Sequence, residues 1–354
     1  MENKNNRYAY ISLLRAFAMA MVITPHLLAY RFETLTMRYL AFYVLNPLYI
    51  IQYCGALGVS IFFVTSGYLS VGQVGKKNYF RRFYKSIIVL MAEVFVGIMF
   101  CWAFAEVFER FVFPNTGYTS TYTVYNVRDW LESAILYRNA LYLETTDRVL
   151  WFLIPFICFK ILLLFFEWLF RGDAKKCLIA FYVLFGAGWV YLRQNWQFYV
   201  FTERFFYISI ILIGYVFALQ HRGIIGKRGL LLLQSVNIAC LLVGRVSTGI
   251  GIDEGYIVSA LYAGILFYVF WKMKEYIPYN RVIAYFDSIG LSFFLLHNCI
   301  GWVLLQWLHY VVFSENHVWP AMIIAVALDM LIITLYTVFI QKPLERVLKL
   351  FVKN

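Results

Sequence analysis

The chain has 354 residues, 62% hydrophobic and 20% aromatic, with a net charge of +12 and a mean hydropathy of +0.70. A soluble domain is nearer 45–50% apolar, so one large water-soluble core is excluded and repeated membrane crossings are implied. The positive charge does not indicate nucleic acid, because Lys and Arg are spread through short segments between apolar runs, as orientation signals are.

Ten membrane helices are expected, at roughly residues 9–30, 43–70, 86–108, 148–170, 177–192, 203–219, 229–246, 256–271, 282–308 and 318–340. The runs are continuous and do not alternate with period two, which selects helices over a barrel. Segments 1–8, 75–85, 171–176, 220–228, 272–281 and 341–354 hold the larger share of Lys and Arg. Both termini are therefore expected in the cytoplasm. The first run is too long for a signal h-region and lacks a small-residue cleavage site, so it is expected to be retained. The expectation is an all-α integral membrane protein, one polytopic domain over 1–354 with no separate soluble domain.

The first span reads AYISLLRAFAMAMVITPHLLAY and holds Arg15 and His26. A guanidinium in such a helix costs about 2.5–3.5 kcal/mol on insertion scales. Arg15 either binds an anionic or carbonyl-bearing ligand or snorkels to the inner interface. His26 is placed about 16 Å further along the helix. It is either a general base toward a hydroxyl or a hydrogen-bonded packing residue. Pro25 kinks the helix beside it and frees backbone carbonyls.

The second span ends GVSIFFVTSGYL, where Ser66 and Gly67 break a Phe-rich run, and KKNYFRRFYK follows. Arg81, Arg82 and Lys85 either hold the phosphates of a cytosolic cofactor or serve as a topology signal with anionic-lipid contact. Charge count alone favours the second. Residues 109–148 form the longest stretch outside the spans, rich in Tyr, Thr and Asn, and read as an outer cap or polar substrate lip. The fourth span opens RVLWFLIPF, with Trp151 at an interfacial-belt position. The ninth contains IGLSFFLLHNCIGW, with Ser292 and His297. His297 serves either a structural hydrogen bond between helices or catalysis. Glu93, Glu106, Lys160 and Asp329 are further ionisable residues inside spans, and each needs a partner or water. The six cysteines are scattered without a CxxC pair and read as small core residues, so no metal site is expected.

In order along the chain, these segments resemble the membrane-bound acyltransferase family 3, whose members O-acylate cell-surface sugars. Arg15 and His26 match its Arg-x10-His, and residues 58–68 match its Gly-Val-x-Ile-Phe-Phe-Val-x-Ser-Gly-Tyr signature. Arg81, Arg82 and Lys85 match its basic cluster, residues 292–297 its Leu-Leu-His element, and LWFL at 150–153 its mid-chain Leu-Trp motif. Ser60 stands where the family often has an acid, Lys85 where Arg is usual, and Gln341-Lys342-Pro343 replaces a Glu-x-Pro element.

The resemblance implies transfer of an acyl group, most often acetyl, from cytosolic acetyl-coenzyme A. The acceptor is a hydroxyl of an envelope polysaccharide or lipid-linked glycan presented outside a bacterial cell membrane. It implies His26 and Arg15 as the catalytic pair, with Arg81, Arg82, Lys85 and Ser66 toward the donor. His297, Ser292 and Trp151 are further candidates. Acetyl-coenzyme A enters as co-substrate, with no tightly bound cofactor; the partners are the acceptor glycan and membrane lipids. A transporter or flippase for an envelope glycan, or transfer of a non-acetyl group such as succinyl, fits the same span pattern.

Overall fold

The computed structural model describes residues 8–28, 54–75, 78–114, 116, 122, 125–141, 143, 146, 148–194, 204–248, 254–313 and 318–351. The opening of the expected second span, residues 43–53, and much of the Thr-rich tract within 109–148 lie outside the described residues.

All described secondary structure is helical. The principal helices are α1 (Ala9–Ile23), α2 (Cys54–Val71), α3 (Tyr79–Phe83), α4 (Val89–Val107) and α5 (Val127–Ala134). They continue with α6 (Leu153–Leu169), α7 (Ala174–Gln194), α8 (Ile208–His221), α9 (Lys227–Thr248) and α10 (Glu254–Lys272). The last three are α11 (Arg281–Gln306), α12 (Val318–Tyr336) and α13 (Lys342–Leu350). Among the described residues, nine helical stretches are long and apolar enough to cross a membrane, and Gly55–Val71 is a shorter apolar helix. The protein is an all-α integral membrane protein.

Three spans run beyond the ends of their apolar sequences, as Arg81–Val112, Arg281–Val312 and Trp319–Leu350. Wide π turns carry the helix onward there, at Tyr84–Ile88, Phe108–Val112, Trp307–Val312 and Thr337–Gln341. Loss of hydrophobicity therefore does not end these helices. Arg110 and Glu106 form an i,i+4 pair on one such extension, and Lys349 and Glu345 on another. Pro343 comes just after the Thr337–Gln341 π turn and has no N–H to give the continuous ladder at that point.

The chain divides into two compact units. The first comprises Met1–Ala18, Leu48–Phe83 and Phe152–Ala284; the second comprises Met19–Pro47, Tyr84–Trp151 and Tyr285–Asn354.

In the first unit, α2 packs against α8 and α10, and α8 against α9. The α2–α8 crossing is made by glycine. A Cβ on Gly67 would fall 1.9 Å from the Ile211 carbonyl oxygen, and one on Gly214 would fall 1.8 Å from that of Val64. In lipid, where apolar side chains gain little by leaving solvent, such close backbone approach is a principal source of helix adhesion. This gives Gly67 of the sequence signature a physical reason. Gly214→Ala is expected to destabilise the protein by about 1–3 kcal/mol or more through overpacking against backbone. Thermal unfolding in detergent checks this. Gly186→Ala on α7, whose Cβ meets nothing within 4 Å, should leave the transition unchanged or raise it.

In the second unit, α4 packs on α5, and α12 packs on the π turn that follows α1. The stretch of residues 125–141 is folded locally. Asn126 and Asp129 form a capping box at the start of α5. Trp130 is buried against Tyr122 and Tyr125. Arg138 bridges Asp129 and Glu132 at 2.6 and 3.0 Å. The Arg128 hydrogen bond, joined by that of Arg138, holds the Glu132 carboxyl below its ordinary range.

Candidate functional site

The helix that begins as α1 opens into a π turn at Thr24–Leu28. Pro25 lies in it and has no N–H to give the α-helical ladder, and π turns of this kind cluster at functional sites. His26 stands in the middle of the wide turn and is partly exposed.

His26 meets His297 edge to face, with ring centroids 5.4 Å apart. His297 is fully buried on α11 and stacks on Phe293 at 4.6 Å with rings 5° from parallel. Its Nδ1 lies 2.7 Å from the Phe293 carbonyl oxygen. A carbonyl can only accept, so Nδ1 donates and carries the hydrogen. Nε2 is then the functional nitrogen; it is buried and finds no hydrogen-bond partner among the described residues. Phe293 thus fixes both the plane and the tautomer of this ring.

A third polar group lies close by in space. Asp329 on α12 is fully buried, and neither carboxyl oxygen has a partner among the described residues. It lies against Gly301, where a Cβ would come within 3.3 Å of its Cγ and within 2.6 Å of Leu27. Gly301 is one helical turn from His297 on the same face of α11, and Leu27 follows His26. The absent side chain at Gly301 lets the π turn and α12 close on this face. Among the described residues, no three His, Cys, Asp or Glu groups converge to hold a metal ion.

Ser292 is fully buried and engaged otherwise. It accepts from Thr337 Oγ1 at 2.7 Å and donates to Gln341 Oε1. That chain ties α11 to the π turn after α12. Gln341, the residue that departs from the family's Glu-x-Pro element, is the acceptor in this clasp. Glu93 on α4 reaches the same place through side-chain hydrogen bonds with Gln341 and Glu345.

The first unit gathers a second polar cluster. Arg82 forms a two-bond ion pair with Glu167, one bond at 2.8 Å. Its side chain is 15% exposed and that of Glu167 is 0% exposed. Lys160 donates to Ser70 Oγ at 2.8 Å, and Ser70 donates to the Ser66 carbonyl at 2.7 Å. Arg15, Arg82 and Glu167 all lie near enough to act on the Lys160 charge. Arg15, Ser66 and Arg82 therefore share one neighbourhood with Lys160 and Glu167. Arg81 and Lys85 are exposed. Trp151 is half-buried in the short 3-10 turn Arg148–Phe152 that opens the span Val149–Leu169.

A polytopic helical membrane protein with a buried imidazole beside a partly exposed one in its second unit, and a cationic cluster in its first, has the parts of a group-transfer enzyme embedded in lipid. The acyltransferase 3 family model, described as an acyltransferase domain, matches residues 8–339, and the chain belongs to that family. It is a multi-pass membrane acyltransferase. A search of curated proteins and of solved structures returned no match to the chain.

Proposed function

We propose that this acyltransferase moves an acetyl group from cytosolic acetyl-coenzyme A to a hydroxyl of an envelope polysaccharide or lipid-linked glycan precursor at a bacterial cell membrane. The concentration of Lys and Arg in one set of segments supports placing that side, and both termini, in the cytosol. The family match runs through both compact units, which supports reading 1–354 as one catalytic domain.

The observation that carries the reading is the His26–His297 pair at a π turn. His297 is locked by Phe293, whereas His26 is the more accessible ring. His26 takes the acceptor's hydroxyl proton as that oxygen attacks the thioester carbonyl. The new C–O bond forms, the C–S bond breaks, and the imidazolium returns its proton to the departing thiolate. Arg15 steadies the donor.

The test uses sealed vesicles containing the purified protein in one orientation. Acetyl-coenzyme A labelled in its acetyl group is supplied on the side of the basic segments, and envelope glycan on the other. Label is expected on the glycan in a form released by mild base. Glycan that crosses the vesicle wall with no base-labile label would establish a transporter instead.

A further inference from the structure

The first unit contains a cavity of about 780 Å³ lined by Tyr8, Tyr10, Tyr68, His221, Arg222 and Lys274, among others. Its walls come from the start of α1 and the ends of α2 and α8. The short turn Lys274–Tyr276 and residues 277 and 278 close it. All these segments border the Lys- and Arg-rich connections, so the cavity belongs to the basic end of the unit. The volume lies in the range of small-molecule and cofactor sites.

Its chemistry is specific. Four tyrosines contribute to the lining: Tyr8, Tyr10, Tyr68 and Tyr276. Tyr68 and His221 share a hydrogen bond, and their rings lie 24° from parallel. Tyr10 and Phe267 pack against Tyr68 with ring centroids at 6.4 and 4.9 Å. The aromatic wall is thereby fixed before any ligand arrives. Two cations, Arg222 and Lys274, face the same space. Lys274 also lies over the Trp271 ring at 5.9 Å. Glu275 is the acid in the lining and suits a ribose hydroxyl. Flat π faces beside paired cations match a purine carrying phosphates.

We propose that this cavity binds the phosphorylated adenosine head of the acyl-coenzyme A donor, with Arg222 and Lys274 on its phosphates and the tyrosine wall on its purine. This rests on the acyl-transfer reading above and assigns the donor's head to residues outside the basic cluster. Arg82 is committed to Glu167, whereas Arg222 is exposed. The walls also lead the right way. Tyr10 precedes Arg15 by about 7.5 Å along α1, and Tyr68 is two residues from Ser66. A thioester arm leaving the cavity along these helices passes into the Arg15 cluster.

The experiment measures binding of acetyl-coenzyme A and of adenosine 3′,5′-bisphosphate to the detergent-purified protein. Steady-state turnover is measured with acetyl-coenzyme A and with S-acetyl-N-acetylcysteamine, a thioester that lacks the nucleotide. The Arg222→Gln/Lys274→Gln double variant is expected to bind both nucleotides about tenfold or more weaker. Its KM for acetyl-coenzyme A should rise by that factor relative to its KM for the short thioester. Lys227→Gln, which removes a nearby charge outside the lining, should change neither. Equal affinity of wild type and double variant for both nucleotides overturns the assignment while leaving the acyl-transfer reading intact. Displacement of the bisphosphate from neither protein, but binding of short-chain phosphatidylglycerol lost in the double variant, makes the cavity a lipid headgroup site and also overturns it. A wild type that binds no acyl-coenzyme A at all defeats the acyl-transfer reading itself. Both substituted side chains reach solvent, and unchanged thermal unfolding confirms that the variants fold.

Discussion

His26→Ala is expected to lower acyl transfer by about 10²–10⁴-fold, the usual contribution of a positioned general base, while expression and membrane insertion stay normal. The structure makes the loss local. His26 lies in a π turn rather than a packed α-helical face, and it is partly exposed. The neighbouring ring is held independently, through the Phe293 carbonyl and the Phe293 stack. Removing the His26 imidazole should therefore leave His297 where it is. The measurement is the amount of base-labile acetyl ester on envelope glycan, normalised to protein in the membrane. Ordinary ester levels in the variant would remove His26 from the chemistry. A stable acetyl group trapped on His26 in the wild type would replace the general base with a covalent carrier.

The second large effect concerns stability. Glu167→Ala is expected to destabilise the first unit by up to about 3–5 kcal/mol, because it removes the buried carboxylate that accepts two hydrogen bonds from the largely buried Arg82 guanidinium. Glu167 has no exposed side-chain surface, and its backbone carbonyl also accepts from Tyr79 Oη at 3.3 Å. The pair thus fastens α3 to the end of α6. Thermal unfolding in detergent reads the loss. The paired replacement Arg82→Met/Glu167→Leu should recover most of it, since a well-packed apolar pair can stand in for a buried ion pair. If Glu167→Ala unfolds at the wild-type temperature, the pair contributes no fastening.

Much of the architecture was legible because the lipid bilayer demands long apolar runs, and those runs are continuous in the chain. Polar residues inside them stood out for the same reason, so Arg15, His26 and His297 could be named in advance. Their partners could not. His26 and His297 are separated by most of the polypeptide, and no local spacing rule connects them. Lys160 finds Ser70, and Arg82 finds Glu167, through contacts between different helices. Glu167 carried only a weak signal, an acid close to the end of an apolar run. The cavity is harder still to read, because its tyrosines and cations come from four separated segments. Pro25 advertised one irregular turn. The π turns at Tyr84–Ile88, Phe108–Val112, Trp307–Val312 and Thr337–Gln341 contain no proline at all.

The widened turn around His26 also resets the angular phase of its helix. Eleven residues return an ideal α-helix to within about 20° of its starting direction, so a helical wheel would stack Arg15 and His26 on one stripe. Each residue of a π turn advances through a smaller angle, and the imidazole lags behind that stripe. One continuous rod can in this way carry a guanidinium and an imidazole that answer to different surroundings, each oriented by its own winding.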